Sequence, residues 1–164
     1  MAKTLLIVVH SRTGGARQMA DACAAAARED PEISVRLLPA DQAGAHDVLG
    51  ASGYVFAAPE NLAALSGVMK DFFDRCYYPV LERINGRPYA AMICAGSDGQ
   101  NALRQIVRIA TGWRLRAVME PVIVCTRAQT PEAILAPKTI GAADLERCRT
   151  VGATLAAGLA AGVF

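Results

Sequence analysis

The sequence predicts a doubly wound α/β fold: a parallel sheet of five strands with helices on both faces. Four short runs rich in Val, Ile, Leu and Ala show no polar alternation, and a fifth is weaker; such runs mark strands covered on both sides. Four longer segments between and after them repeat apolar residues at helical spacing, and strands alternating with helices form parallel sheets through right-handed crossovers. A chain of 164 residues has room for one sizeable core and not for two comfortable domains, so residues 1–164 are expected to form a single domain.

The first run, Thr4–Val9, is continuous and apolar. Ala16, Met19, Ala20, Cys23 and Ala27 then share one helical face. Ile33–Leu38 is a weaker strand with Arg36 inside it, which suits an edge. Pro39–Ser52 is Gly/Ala/Asp-rich and holds at most a short helix near Asp47–Leu49. Tyr54–Ala58 is the third run, followed by a helical stripe of Leu65, Val68, Met69, Phe72, Phe73 and Cys76. Ala90–Cys94 is the fourth, followed by Leu103, Ile106, Val107, Ala110 and Trp113. Val118–Cys125 is the fifth, interrupted at Glu120-Pro121. Arg127–Gly141 is a long connection with Pro131 and Pro137, of a length found in lids and interface arms. The last stripe is Leu145, Cys148, Gly152, Leu155 and Leu159.

Composition removes several function classes. Seventeen basic and fifteen acidic residues give a net charge of +2, scattered without a basic run, which leaves no footprint for nucleic acid. Leu5–Val9 is too short for a signal-peptide core, and the apolar stretch Val151–Phe164 is too short for a bilayer span, so a cytoplasmic protein without membrane insertion is expected. The five cysteines lack a C-x-x-C pair and sit among apolar neighbours, so they read as buried thiols in a reducing compartment. His10 and His46 have no metal-ligand spacing, and no metal is expected.

In doubly wound sheets, ligands bind beyond the carboxyl ends of the strands, where the strand order reverses. After the first strand stands Ser11-Arg12-Thr13-Gly14-Gly15-Ala16. Two glycines, two hydroxyls and a helix N-terminus suit a phosphate monoester. Neither the dinucleotide fingerprint nor the P-loop motif is present. After the third strand stands Pro59-Glu60-Asn61-Leu62, stiffened by its proline and able to offer polar groups to a heterocycle edge. Asn61 also suits a turn, and Ser66 reads as the cap of the following helix. After the fourth stands Ala95-Gly96-Ser97-Asp98-Gly99, where glycines admit a flat ring and Ser97 or Asp98 suits a helix cap. One phosphate loop and two ring loops at successive strand ends match a mononucleotide, and flavin mononucleotide (FMN) is the natural candidate.

These residues resemble the flavodoxin-like fold and, within it, the NAD(P)H-dependent flavin and quinone reductases. Ser11-Arg12-Thr13-Gly14-Gly15 is similar to that family's phosphate loop. Pro59, with Ser66-Gly67, Met69-Lys70, Phe72 and Asp74, resembles its third-strand block, the most specific part of the likeness. Gly96–Gln100 resembles its ring loop. The resemblance implies a strand order of 2-1-3-4-5 and non-covalent FMN. It places the phosphate at Ser11, Arg12, Thr13, Gly14, Gly15 and Ala16, and the ring at Pro59, Glu60, Asn61, Leu62 and the Ala95–Gly99 loop. Ala16 replaces a common Thr, and Leu62 stands where relatives often carry an aromatic.

The implied activity is an oxidoreductase in which NADH or NADPH delivers hydride through FMN to a quinone, a flavin or a similar small acceptor. No side chain is required as catalytic acid or base. The alternative is a one-electron carrier of the flavodoxin type; such carriers tend to be acidic and clamp the ring between aromatics. A phosphotransfer receiver lacks its Asp at the third strand's end, and a low-molecular-weight phosphatase lacks its Cys in the first loop. A homodimer or tetramer is also implied. The Phe-Phe and Tyr-Tyr pairs of Asp71–Leu81 fit an interface or an ordinary core equally well.

Overall fold

A computed structural model describes residues 2–164. Every residue from Leu5 to Val9 in β1 (Lys3–Val9) is buried. That strand pairs in parallel with β2 (Ile33–Pro39) on one side and β3 (Gly53–Asn61) on the other. β3 pairs in parallel with β5 (Pro88–Ala95), whose eight residues are all buried. β5 in turn pairs with β6 (Arg116–Ala117) and β7 (Val122–Cys125). A two-residue strand, β4 (Ala64–Leu65), returns antiparallel on the end of β3. The sheet order is therefore β2-β1-β3-β5, with β6 and β7 sharing the last position. This is the flavodoxin-like order, its fifth strand broken near Glu120-Pro121, where a proline has no N–H to give the ladder.

Alternation along the strands assigns each residue to a face. Leu6, Val8, Tyr54, Phe56, Ala91 and Ile93 pack beneath α2 (Ala45–Gly50), α3 (Gly67–Val80) and α4 (Gln100–Gly112). Leu5, Ile7, Val55, Ala57 and Met92 pack beneath α1 (Gly15–Ala27) and α6 (Ala142–Ala161). These last two helices approach closely: a Cβ on Gly152 would stand 1.9 Å from the Cys23 carbonyl oxygen, which bars any larger residue there. Among the described residues, no helix is long and apolar enough to cross a membrane.

Several sequence expectations shift locally. Leu65 belongs to β4 rather than to the helix after it. Phe72, Phe73 and Trp113 join Phe56 in one aromatic core cluster, while Tyr78 is 80% exposed. The Phe pair is thus core, and only the Tyr pair reaches the surface. Cys125 is exposed because it ends the broken strand; the other four thiols are buried. The long connection contains a short helix, α5 (Pro131–Leu135), begun by Thr130, whose hydroxyl accepts from the Ala133 N–H at 3.2 Å.

Candidate functional site

The carboxyl ends of β1, β3 and β5 open into one cleft of about 380 Å³. From the first loop it receives Ser11, Arg12, Thr13, Gly15 and Ala16; from the third-strand loop, Pro59, Glu60, Asn61 and Leu62; from the fourth, Ala95, Gly96 and Ser97. Gly14, Asp98 and Gly99 do not line it. Gly14 instead precedes α1 with φ +94° and faces a neighbouring hollow with His10, Arg17 and Asp41. Gly99 precedes α4 with φ +81°, and a Cβ there would stand 2.8 Å from Ile123 Cγ2. It occupies the cap position that Ser97 or Asp98 was expected to take, because the chain needs a left-handed residue at that point.

At the phosphate-loop end, the Ser11 hydroxyl accepts the Gly14 N–H at 3.1 Å, which leaves its own proton for an acceptor. Backbone N–H groups at the start of α1 and the positive end of its dipole face the same space. Arg12 is exposed at the rim. Lys138 also lines the cleft, but its Nζ donates to the carbonyls of Ala133, Ile134 and Ala136 at 2.8, 2.9 and 2.5 Å, so all three donors are used and it contributes field rather than a free donor. Burial raises the Cys94 thiol to about 11, against the opposing charge of Lys138. It is an inert wall at neutral pH.

The third-strand loop is a tight hairpin. Asn61 pairs with Ala64, so Leu62 and Ala63 are the two turn residues, and both are left-handed (φ +49° and +60°). Such turns favour Asn-Gly, because a Cβ is penalised there. Helix α4 holds the turn from outside: Asn101 Nδ2 donates to the Ala63 carbonyl at 2.7 Å, and Gln105 Oε1 accepts the Leu65 N–H at 2.7 Å. Leu62 projects fully into solvent (102% exposed) at the cleft's edge. Ser66 stands at the cap position of α3, yet its hydroxyl pairs with His10 Nδ1 at 2.8 Å instead of capping the helix. Burial lowers the His10 pKa, Asp41 opposes that shift and Arg12 adds to it.

Within the cleft, Glu60 Oε2 is a buried carboxyl oxygen without a hydrogen-bond partner. Buried polar atoms are rarely left so unless a ligand completes them. A flavin ring carries an N–H at its pyrimidine edge, so an orphaned acceptor between two ring-sized loops fits that group. Gly96 adds a close approach: a Cβ there would stand 2.8 Å from the Ala128 carbonyl oxygen.

Thr126, Ala128, Ile134, Leu135 and Lys138 line the cleft without having been singled out in the sequence. Thr126 follows β7 directly, and the others lie on the long connection, which folds back as an arm across the strand ends. Its two prolines and unusual length were the one signal available.

A family model for NADPH-dependent FMN reductases matches residues 39–129, more than half of the chain. The chain belongs to that family, whose description names FMN and NADPH. A flavodoxin of Aquifex aeolicus (strain VF5) is 34% identical over 95 residues, 58% of this chain and 51% of the relative. The match therefore spans about half the length of that curated protein. Among solved structures, a flavodoxin from the domain Archaea superposes with a TM-score of 0.75 at 14% identity, covering 96% of this chain and 98% of its own. A WrbA-like protein from Agrobacterium tumefaciens does so with a TM-score of 0.70 at 19% identity, covering 98% of both chains. At these identities the likeness establishes the flavodoxin-like fold.

Proposed function

We propose that this chain, acting as one flavodoxin-like unit, binds FMN in the cleft and works as an oxidoreductase. NADPH or NADH would be the donor and a quinone or similar small ring the acceptor. The observation that carries the reading is the convergence of the three strand-end loops on a cleft whose buried Glu60 oxygen has no partner. Family membership supports the cofactor. When bound, the flavin supplies the hydride chemistry, and the protein supplies position and electrostatics. Ser11, Thr13 and the N–H groups opening α1 would hold the phosphate, with Arg12 and Lys138 balancing its charge. Glu60 would accept the ring N–H. Pro59, Asn61 and the Ala95–Ser97 loop would border the ring. Asp98, Gly14 and Gly99 would support these loops from behind.

A carrier role is the second reading, favoured by the Aquifex relative being a flavodoxin. The hairpin tip weighs against it: Leu62 is an exposed aliphatic residue, and no aromatic side chain lines the cleft.

The test is a visible spectrum before and after incubation with FMN and desalting, then anaerobic addition of NADPH and, separately, of NADH. Retained flavin that one equivalent of either bleaches supports the oxidoreductase. Retained flavin that neither NADPH nor NADH bleaches supports the carrier, and a chain that retains none refutes the site. Ser11→Asp aims a carboxylate at the phosphate and should abolish retention; undiminished flavin in that variant would remove the phosphate loop from the proposal.

A further inference from the structure

Gln18 lies one turn into α1 and does not line the cleft. Its side chain nevertheless makes three hydrogen bonds, all to backbone. Nε2 donates to the Gly14 carbonyl at 2.8 Å and to the Lys138 carbonyl at 2.7 Å. Oε1 accepts the Ile140 N–H at 3.0 Å. One partner belongs to the first loop, and the other two lie on the arm, 120 and 122 residues along the chain. Beside them, the Lys138 N–H donates to the Thr13 carbonyl at 2.8 Å. A primary amide suits this position because it offers two donors and an acceptor without charge.

The arm needs this attachment. No residue of α5 is buried, so apolar packing does not hold that helix in place. Ile134 and Leu135 are 51% and 62% exposed, yet both line the cleft. The arm is pinned at its two ends. At one end, Thr126 N–H and Oγ1 both donate to the Ala95 carbonyl, at 2.9 and 3.2 Å. At the other stand Gln18, the Lys138–Thr13 bond and Ile140, which is buried in the core beneath α1. The first pin ties the arm to the ring loop, and the second ties it to the phosphate loop.

We infer that Gln18 is a positioning residue: it fixes the arm as the outer wall of the cleft and so sets where Ile134 and Leu135 meet the second substrate. The inference rests on the cleft being the FMN site proposed above. It makes Gln18 a determinant of acceptor affinity rather than of hydride transfer.

The experiment compares wild type, Gln18→Met, Ile134→Ala/Leu135→Ala and all three substitutions combined, in FMN-loaded protein with a soluble quinone as acceptor. Gln18→Met keeps the side chain's length and removes all three of its side-chain bonds. Trypsin should cut the arm after Arg127 or Lys138 about tenfold faster in Gln18→Met, because local opening sets such rates. The quinone KM should rise about tenfold with kcat within about twofold, the sign of lost binding common to ground and transition states. The arm variant should raise KM similarly, and adding Gln18→Met to it should change KM no further, because both act through one wall. Equal cleavage rates, a loss carried by kcat, or effects that simply multiply would each overturn the inference. Should Gln18→Met not fold, Gln18→Glu replaces it: that variant keeps the Ile140 bond and sets a carboxylate oxygen against two carbonyls. A wild-type chain that retains no FMN refutes the proposed function by its spectrum alone. Cleavage of the arm then decides the role of Gln18 by itself, and unchanged rates overturn it.

Discussion

Gly15→Ala probes the packing beneath the first loop, the proposed phosphate site. A Cβ at Gly15 would stand 2.4 Å from Cys94 Sγ, with Lys138 Cβ at 3.5 Å and Ile140 Cδ1 at 3.6 Å already in ordinary contact. The sulfur is the only one of these neighbours that must move. Overpacking of this kind costs about 1–3 kcal/mol. Alanine recovers part of it through helix propensity, at most about 1 kcal/mol and less at the first helical residue. The net expectation is a loss of about 1–2 kcal/mol, a melting temperature about 2–8 °C lower for a chain of this size. Cys94→Ala removes the sulfur, and the new methyl then enters the space left behind. The double variant should be more stable than the two single effects predict, with a coupling of about 1–2 kcal/mol. Urea denaturation measures all four corners of the cycle, and flavin fluorescence quenching reports FMN retention alongside. Gly15→Ala should weaken retention, and the second substitution should restore it. Single effects that add to within about 0.5 kcal/mol would refute the reasoning.

At the hairpin tip, Leu62→Asn/Ala63→Gly puts the preferred pair into a left-handed turn. It should stabilise the chain by about 0.5–1 kcal/mol, with an unchanged or lower thermal midpoint as the contrary result. His10 has a folded pKa below its ordinary 6.5 because burial disfavours the charged form. Unfolded chains therefore bind more protons as pH drops through that value. The stabilising contribution is whole above about pH 6.5 and declines below it, and His10→Gln should flatten the fall in melting temperature between about pH 7 and 5.5. Parallel slopes would contradict the assignment. Cys125 is the exposed thiol, whereas burial raises Cys23 to about 12 and Cys76, Cys94 and Cys148 to about 11. A thiol reagent should label one site per native chain and none in Cys125→Ser.

The sheet was legible because its signal is local. Leu5–Val9, Tyr54–Ala58 and Ala90–Cys94 are apolar on both faces, and only a strand covered twice needs that. Most residues after each run could then be read as cleft residues by topology, but Gly14, Asp98 and Gly99 do not line the cleft. What stayed hidden depends on distant partners or on strain. Nothing near Gln18 reveals a bond to Lys138 on the far side of the chain. Leu62-Ala63 runs against turn preferences, and the helix that enforces the turn, through Asn101 and Gln105, lies some forty residues on. Ser66 looks like an ordinary cap, but His10 competes for its hydroxyl. Cys125, at the end of the fifth run, reads as a buried thiol until the break at Pro121 reduces its strand to a four-residue stub.

That break also bears on how these molecules meet one another in solution. An open sheet ends in unpaired N–H and C=O groups, which can template pairing with a second chain. Here one border is β6 and β7, two short pieces along β5 interrupted at residues 118–121, which include Pro121. The opposite border, β2, carries Arg36 in an ion pair with Asp47 at 2.6 Å. A charged residue on one border and an interruption on the other deny a neighbouring strand a continuous register. The molecule can thus leave its strand ends open to a small ligand while neither sheet border invites strand-to-strand pairing.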